Sequence, residues 1–534
     1  MKRIDEQLDN TRTIRKRLSA ADRRSGIVLL IVMVVVTLMA LAGLSFVLSL
    51  STENRAAYLH GDQLQLEQAL ASGGELLKAV CDTSHDERQQ LGGLRDNSEL
   101  FRGVVIADES IETSETSPLR FSILSPEADD LGMEGVRFGA QDESARLNLA
   151  ALSEWERREP GAAAEALMNL PGMTSSIADA ILDWIDTDDT PRASGAETGY
   201  YAGRGLPYGP RNSVPMSLEE LLLVRDVSRY SLFGGDRDLN YQVDEREARR
   251  AADSLAGRSG GESLPWASLL TIHSAERNMA CDGELRIYLN ETDLAKLQQQ
   301  LDEWFDPSWT RFIIAYRQFG PYDETQANRR PAVSRRSRSA RTSRNARFDP
   351  QMPLDEEPEP QIIRAEEMDE VDLSIPARFQ IDSVLDLIGV QVLIPNDERA
   401  GLPEDVDLIA ESPFEDNPAL MQDYLPTLVD RTTTIQDVII SGRVNVNLAP
   451  RAVLLGVPGL GRQTVDRILA SRGRGVDENS PSYRHATWLL TEDVLDTAQM
   501  KELSPYVTGG GDVFRAQVVG FHGGSGLSAR AEVV

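Results

Sequence analysis

The chain has 534 residues, too many for one ordinary core, and carries 55 basic against 85 acidic side chains for a net charge of −30. So acidic a balance repels nucleic acid and anionic membrane surfaces unless basic residues cluster locally. The two cysteines, Cys81 and Cys281, and the five histidines show no CxxC, HExxH or GxSxG context, which removes the usual zinc, thiol-redox and hydrolase signatures and leaves no catalysis to assign. The cysteines stand as either one long-range disulfide or two buried thiols.

Residues 1–26 hold Lys2, Arg3, Arg12, Arg15, Lys16, Arg17, Arg23 and Arg24 against four acids, and the positive-inside bias keeps such a segment cytoplasmic. Ile27 to Leu50 then gives 24 residues without a charge. As a helix these are ~36 Å long, enough for a hydrocarbon core of about 30 Å. Thr37, Ser45 and Ser49 are too few to make the polar face of a soluble helix. Residues 27–50 are therefore predicted to cross a membrane and to send the bulk of the chain to the far side. The small pair Ser25-Gly26 precedes the apolar run, whereas a secretory signal peptide has its small residues after it. Cleavage between Gly26 and Ile27 would remove a charged leader and make the apolar helix the new N-terminus.

Residues 51–150 read as a stem followed by a sheet. Tyr58, Leu64, Leu66, Leu70, Leu76, Leu77 and Val80 keep a roughly helical period to about Cys81. Short β-rich runs at 103–107, 119–124, 135–139 and 146–149 predict a small antiparallel sheet. Helical character takes over from 161 to 229, and strand-like alternation returns at 512–520 and 527–534. This order predicts an α+β fold in which a large helical insertion interrupts a sheet completed by the C-terminus. The insertion divides into a helical part at 151–235, an extra repeat-like unit at 236–325, a helical and β continuation at 372–442 and a second helical part at 443–510, with 511–534 as the closing strands. Residues 326–371 are poor in apolar side chains and hold eight arginines from Arg329 to Arg347, then an acidic run from Asp355 to Glu370. They read as a disordered charged linker.

Two segments share one helix-hairpin-helix pattern. Leu170-Pro171-Gly172-Met173 has Ile181 nine residues after its glycine, Val457-Pro458-Gly459-Leu460-Gly461 has Ile468 at the same offset, and Asp179 and Asp466 coincide. A Pro-Gly turn lets two short helices meet closely. A second repeat places an Arg beside a short strand ending in Asn: Glu143 to Leu149, Leu285 to Asn290, and Gly442 to Pro450. Asn at such a position can cap the helix that follows.

Glu143 to Leu149, Asp183-Trp184-Ile185-Asp186-Thr-Asp188-Asp189-Thr-Pro191, Gly195-Ala196-Glu197 with Tyr200-Tyr201, Ser217 to Val227 and Val444 to Arg472 follow in order a pattern that resembles the K-type minor pseudopilins of type II secretion. The resemblance covers the first 230 residues and about the last 95. The junction at Gly26 and Ile27 resembles the leader that a prepilin peptidase cuts after glycine. Most members of the wider family have glutamate at the fifth mature position; Ile31 stands there, as the K-type branch implies for a subunit at the pseudopilus tip. The resemblance implies a non-enzymatic protein of the inner membrane with its bulk in the periplasm. Its implied partners are the other minor pseudopilins, the major pseudopilin, the prepilin peptidase and the inner-membrane secretion platform, and its role is to initiate or cap assembly.

Two local readings stay open beside it. The acidic group Asp183, Asp186, Asp188 and Asp189, with Glu197 and Asn212, is either a solvated capping loop or a calcium site, the latter in keeping with the calcium use of pseudopilins. Gly459 and Gly461, with Arg462, Arg467 and the nearby Arg443, Arg451, Arg472 and Arg474, can also present amides and charge to a phosphate, which makes a membrane-tethered DNA-binding protein the rival function.

Overall fold

The computed structural model describes residues 2–106, 118–129, 132–254, 264–322, 360–368, 370–395, 406–472, 483–522 and 526–534. The arginine run of the expected linker lies outside them. The fold is α+β. One helix, Lys2–Cys81, opens the chain. Strands Val104–Val105, Leu119–Asp129, Phe514–His522 and Ser528–Val533 follow one another across a sheet, with Gly132–Phe138 added beside Leu119–Asp129 and Gln141–Asp142 beside Phe514–His522. The two added strands pair antiparallel, and the C-terminus supplies the closing strands as expected.

The chain forms two compact units. The first comprises 1–72, 105–120 and 520–529. In it every residue from Ile27 to Leu50 is exposed, and this stretch is long and apolar enough to cross a membrane. So large an exposed apolar surface calls for lipid or other apolar helices around it. Leu66 and Ala69 are buried. A Cβ on Gly520 would lie 2.9 Å from that of Ala69, so only glycine allows this strand to approach the stem so closely.

The second unit comprises 73–104, 121–519 and 530–534. Gly73 repeats the device: a Cβ there would meet Val518 at 2.4 Å and the Phe121 ring at 3.0 Å. A glycine inside a helix costs about 1 kcal/mol relative to alanine; here it lets the helix seat on the strands. Cys81 and Cys281 are both free thiols.

Beyond the sheet, the second unit is organised by three parallel pairs of two-residue strands. Leu147–Asn148 pairs with Leu270–Thr271, Ile287–Tyr288 with Thr432–Thr433, and Val444–Asn445 with Val507–Thr508. The first member of each pair is the Arg-and-Asn strand seen three times in the sequence. Each is followed by two helices packed together: Ala162–Met168 with Ser175–Ile185, Leu294–Asp302 with Pro307–Phe319, and Arg451–Leu454 with Arg462–Arg472. The middle of the chain is thus a third copy of the same plan, and all three share one core that includes Trp184, Trp266 and Trp488.

Three expectations are corrected. Residues 146–149 do not join the sheet, because Leu147–Asn148 is taken by Leu270–Thr271. The end of the expected linker is ordered: Gln361–Arg364 pairs parallel with Leu408–Glu411, and Ile363, Ala365 and Met368 are buried. Of the three repeated asparagines only Asn148 caps a helix, its Oδ1 accepting from the Ala150 amide at 2.8 Å, a contact worth about 1 kcal/mol. Asn290 instead exchanges two hydrogen bonds with the backbone of Ile381. Asn445 donates to Asp142 Oδ2 at 2.9 Å.

Candidate functional site

The helix Ser175–Ile185 begins at Thr174, whose hydroxyl accepts from the Ile177 amide at 3.3 Å. Its apolar positions from Ile177 to Ile185 are buried, which fixes the direction in which its last turn points. That turn ends in Asp183 and Asp186, two carboxylates at the negative end of the helix dipole, where a cation is favoured and an anion is not. Asp183 is fully buried.

The following loop returns over these two carboxylates. The Arg192 amide reaches both oxygens of Asp183 at 3.2 and 3.3 Å, its guanidinium donates to Asp183 Oδ1 at 2.9 Å, and the same nitrogen pairs with Asp186. The Ser194 amide donates to Asp179 at 2.9 Å. A Cβ on Gly195 would fall 1.8 Å from Asp183 Oδ2, so this glycine is there to let the chain pass the carboxylate. Arg225 holds the outer side, donating to the carbonyls of Ser194 and Gly195 and lying over the Tyr200 ring.

Glu197 enters from the far end of the loop and is only 4% exposed. Oxygens of Asp183, Asp186 and Glu197 lie within 4.8 Å of one another. Among the described residues, neither carboxylate oxygen of Glu197 has a hydrogen-bond partner, nor do Asp186 Oδ1 and Asn212 Oδ1. Burial first, then the charges of Asp183, Asp186, Asp189 and Asp188, push the Glu197 carboxyl up to about 7. Burial also raises Asp186, against the pull of Arg192. Arg192 pairs with two of the three converging carboxylates, and four buried oxygens find no donor among the described residues. Hard oxygen donors in excess of local positive charge suit calcium, which takes 6–8 such ligands.

The structure therefore brings together Asp183, Asp186 and Glu197 from the acidic group, while Asn212 is held to the same loop by its bond to the Asp188 carbonyl. It does not bring in the carboxylates of Asp188 and Asp189, which are exposed and accept from the amides of Thr190 and Thr198. The sequence reading missed Arg192; a basic residue just after Thr-Pro, within reach of the helix end, was the available signal.

The unusual position of Glu197 sets a pH dependence. With a folded value of about 7 against 4.5, the folded state holds a proton that the unfolded state lacks between those limits, so this group stabilises the fold as pH falls through 7 toward 4.5. In chelator, the melting-temperature difference between wild type and Glu197→Gln should therefore move in favour of wild type from pH 8 to pH 5. Calcium should raise the wild-type melting temperature more at pH 8 than at pH 5, since protons compete for the same oxygens. Equal calcium effects at the two pH values would remove Glu197 from any such site.

At the second glycine turn, Gly459 adopts φ +82° and an added Cβ at either Gly459 or Gly461 would meet open space. Arg462 and Arg467 are exposed on the helix that follows. The wider basic patch is not free for phosphate: Arg443 pairs with Glu276, Arg451 with Asp466 at 2.5 Å, and Arg472 donates to the Ala449 carbonyl. Arg474 lies outside the described residues.

Residues 145–232, which contain the whole acidic site, match the family model described as type II secretion system (T2SS), protein K. No curated protein matches the chain.

Proposed function

We propose that this chain, a type II secretion protein of the K type, is a minor pseudopilin that sits at the tip of a pseudopilus and initiates or caps its assembly. The observation that carries the reading is the stretch Ile27–Leu50, exposed along its length at the head of a long stem, on a chain whose helical part matches the protein K family. A bundle of like stems would cover that surface. The segment lies in the inner membrane, residues 1–26 face the cytoplasm, and the bulk is periplasmic. The protein performs no catalysis; its partners are the other minor pseudopilins and the major pseudopilin, together with the prepilin peptidase that cuts between Gly26 and Ile27 and the inner-membrane platform that drives assembly.

The terminal position follows from Ile31. A carboxylate buried among apolar helices is tolerated only when paired, and a subunit without one offers no such contact to a neighbour above it. The helix pairs around Gly172 and Gly459 act in this reading as helix-hairpin-helix packing units that stiffen the bulky head. Among the described arginines of that patch, Arg443, Arg451 and Arg472 are engaged, which leaves Arg462 and Arg467 to meet a phosphate in a chain of net charge −30. A structural calcium ion on Asp183, Asp186 and Glu197 would complete the head.

Labelling assembled filaments with a head-specific antibody should mark one end only, both for wild type and for Ile31→Glu. Label along the filament length in the wild type would overturn the tip assignment.

A further inference from the structure

A second group of carboxylates lies at the start of the extra unit. Oxygens of Asp236, Asp238 and Glu247 fall within 4.8 Å of one another, although these residues are spread over twelve positions that run from the loop after the helix Arg229–Phe233 into the first turn of the helix Glu245–Ser254. The sequence of that stretch is an independent observation. Asp236, Asp238, Asn240, Asp244 and Glu247 occupy positions 1, 3, 5, 9 and 12 of a twelve-residue loop, and Gln242 falls at position 7, where a backbone carbonyl serves. This is the ligand spacing of the calcium loop between two helices, with a carboxylate at position 12 that binds through both oxygens. It includes the Asn240 amide side chain at position 5, which mere acidity of the segment does not account for. Such loops require a sharp turn at position 6, usually met by glycine; here Tyr241 takes φ +65°.

We propose that residues 236–247 form a calcium-binding loop, with Asp236, Asp238, Asn240, Asp244 and Glu247 as side-chain ligands and Gln242 as the main-chain ligand. The side chains already fold the loop around that point. Asp236 accepts from the Asn240 and Tyr241 amides, and Glu247 from those of Arg237 and Asp244. Asp244 caps the helix that presents Glu247, accepting from the amides of Arg246 and Glu247 at 2.7 and 2.8 Å. These bonds account for Asp236, Asp244 and Glu247, but not for Asp238, whose exposed carboxylate converges on the same point and meets, among the described residues, Arg530 at 3.5 Å. Gln517 donates to the Leu239 carbonyl at 3.0 Å, so an ion here would tie the start of the extra unit to the closing strands of the sheet within the second unit. The loop is separate from the acidic site at Asp183 and does not depend on the pseudopilin reading.

The test uses the full chain in detergent carrying Glu197→Gln, so that the first acidic site is silenced, titrated calorimetrically with calcium and then with magnesium. Calcium should bind with Kd on the order of 10⁻⁴ M or tighter, the range of extracellular and sensor loops, and magnesium should bind more weakly. Adding Glu247→Gln should weaken calcium by roughly tenfold or more, since position 12 supplies two of the oxygens. Asp238→Asn, an exposed change that leaves the loop hydrogen bonds intact, should weaken it with an unchanged circular dichroism spectrum. No calcium uptake by the Glu197→Gln chain, or the same uptake after both further substitutions, would overturn the proposal.

Discussion

Glu143→Gln should destabilise the chain by about 3–5 kcal/mol, the cost of breaking a buried ion pair by removing one partner. Glu143 is fully buried. Its carboxylate accepts from Arg515 Nε at 2.8 Å, faces Arg146 Nη1 at 3.2 Å and accepts from the Thr271 hydroxyl. Arg146 is itself buried, and among the described residues its Nε has no hydrogen-bond acceptor. Neutralising Glu143 therefore leaves the Arg146 guanidinium inside the unit without the carboxylate it pairs with, the Gln141 amide oxygen remaining as its neutral partner. Burial alone would raise the Glu143 carboxyl, but Arg146 and Arg515 hold it below its ordinary value. A depressed carboxylate adds stability that is present above its unfolded value and lost as pH falls through the folded one. The gap between wild type and Glu143→Gln should accordingly be full at pH 7 and close below about pH 4. Denaturant midpoints at the two pH values check this. Glu154→Gln is the control: Glu154 forms exposed pairs with Arg157 and Arg158, and such pairs contribute about 0–1 kcal/mol. Equal losses for the two variants would mean that the buried cluster does not hold the first repeat.

The other large effect is expected at Gly26. If the peptidase cuts between Gly26 and Ile27, the residue before the scissile bond must be small, and Gly26→Leu should abolish the mature form. The span from Ile27 to Leu50 is untouched by the change, so the variant should still reach the membrane, retain its leader and fail in secretion. Immunoblots of membrane fractions would show the precursor alone. A variant that matures and secretes normally would leave Gly26 as a chance residue before an ordinary membrane anchor.

The parts of the fold legible in the sequence were those with a period or a repeat. The stem showed in the spacing of Leu66, Leu70, Leu77 and Val80, because burial of one face imposes such a pattern, and the closing strands showed as a strand-like run from Phe514 to Gly520, although Ala516, Gln517 and Val518 are buried in succession. The three Arg-and-Asn strands were visible because the same plan, a short parallel strand followed by packed helices, is built three times. Their pairing was not: a two-residue strand such as Leu147–Asn148 has no period, and its partner Leu270–Thr271 is more than a hundred residues away. Gln361–Arg364 was hidden by the acidic residues on either side, which lower the local hydropathy although Ile363 is buried. At the acidic site, the carboxylates were legible as a cluster, but a cluster does not say which members converge. The return of the chain over Asp183, allowed by Gly195 and held by Arg192, excludes Asp188 and Asp189 and admits Glu197. The loop at Asp236 has its ligand spacing in the sequence, with Tyr241 in the place where glycine is the usual marker.

The central claim is that the apolar helix is a mature N-terminus exposed by leader cleavage, and N-terminal sequencing of the chain extracted from membranes of secreting cells tests it most directly. The account predicts a sequence that starts at Ile27 and reads Ile-Val-Leu-Leu-Ile. A chain that still carries residues 1–26 in cells that secrete normally would contradict it.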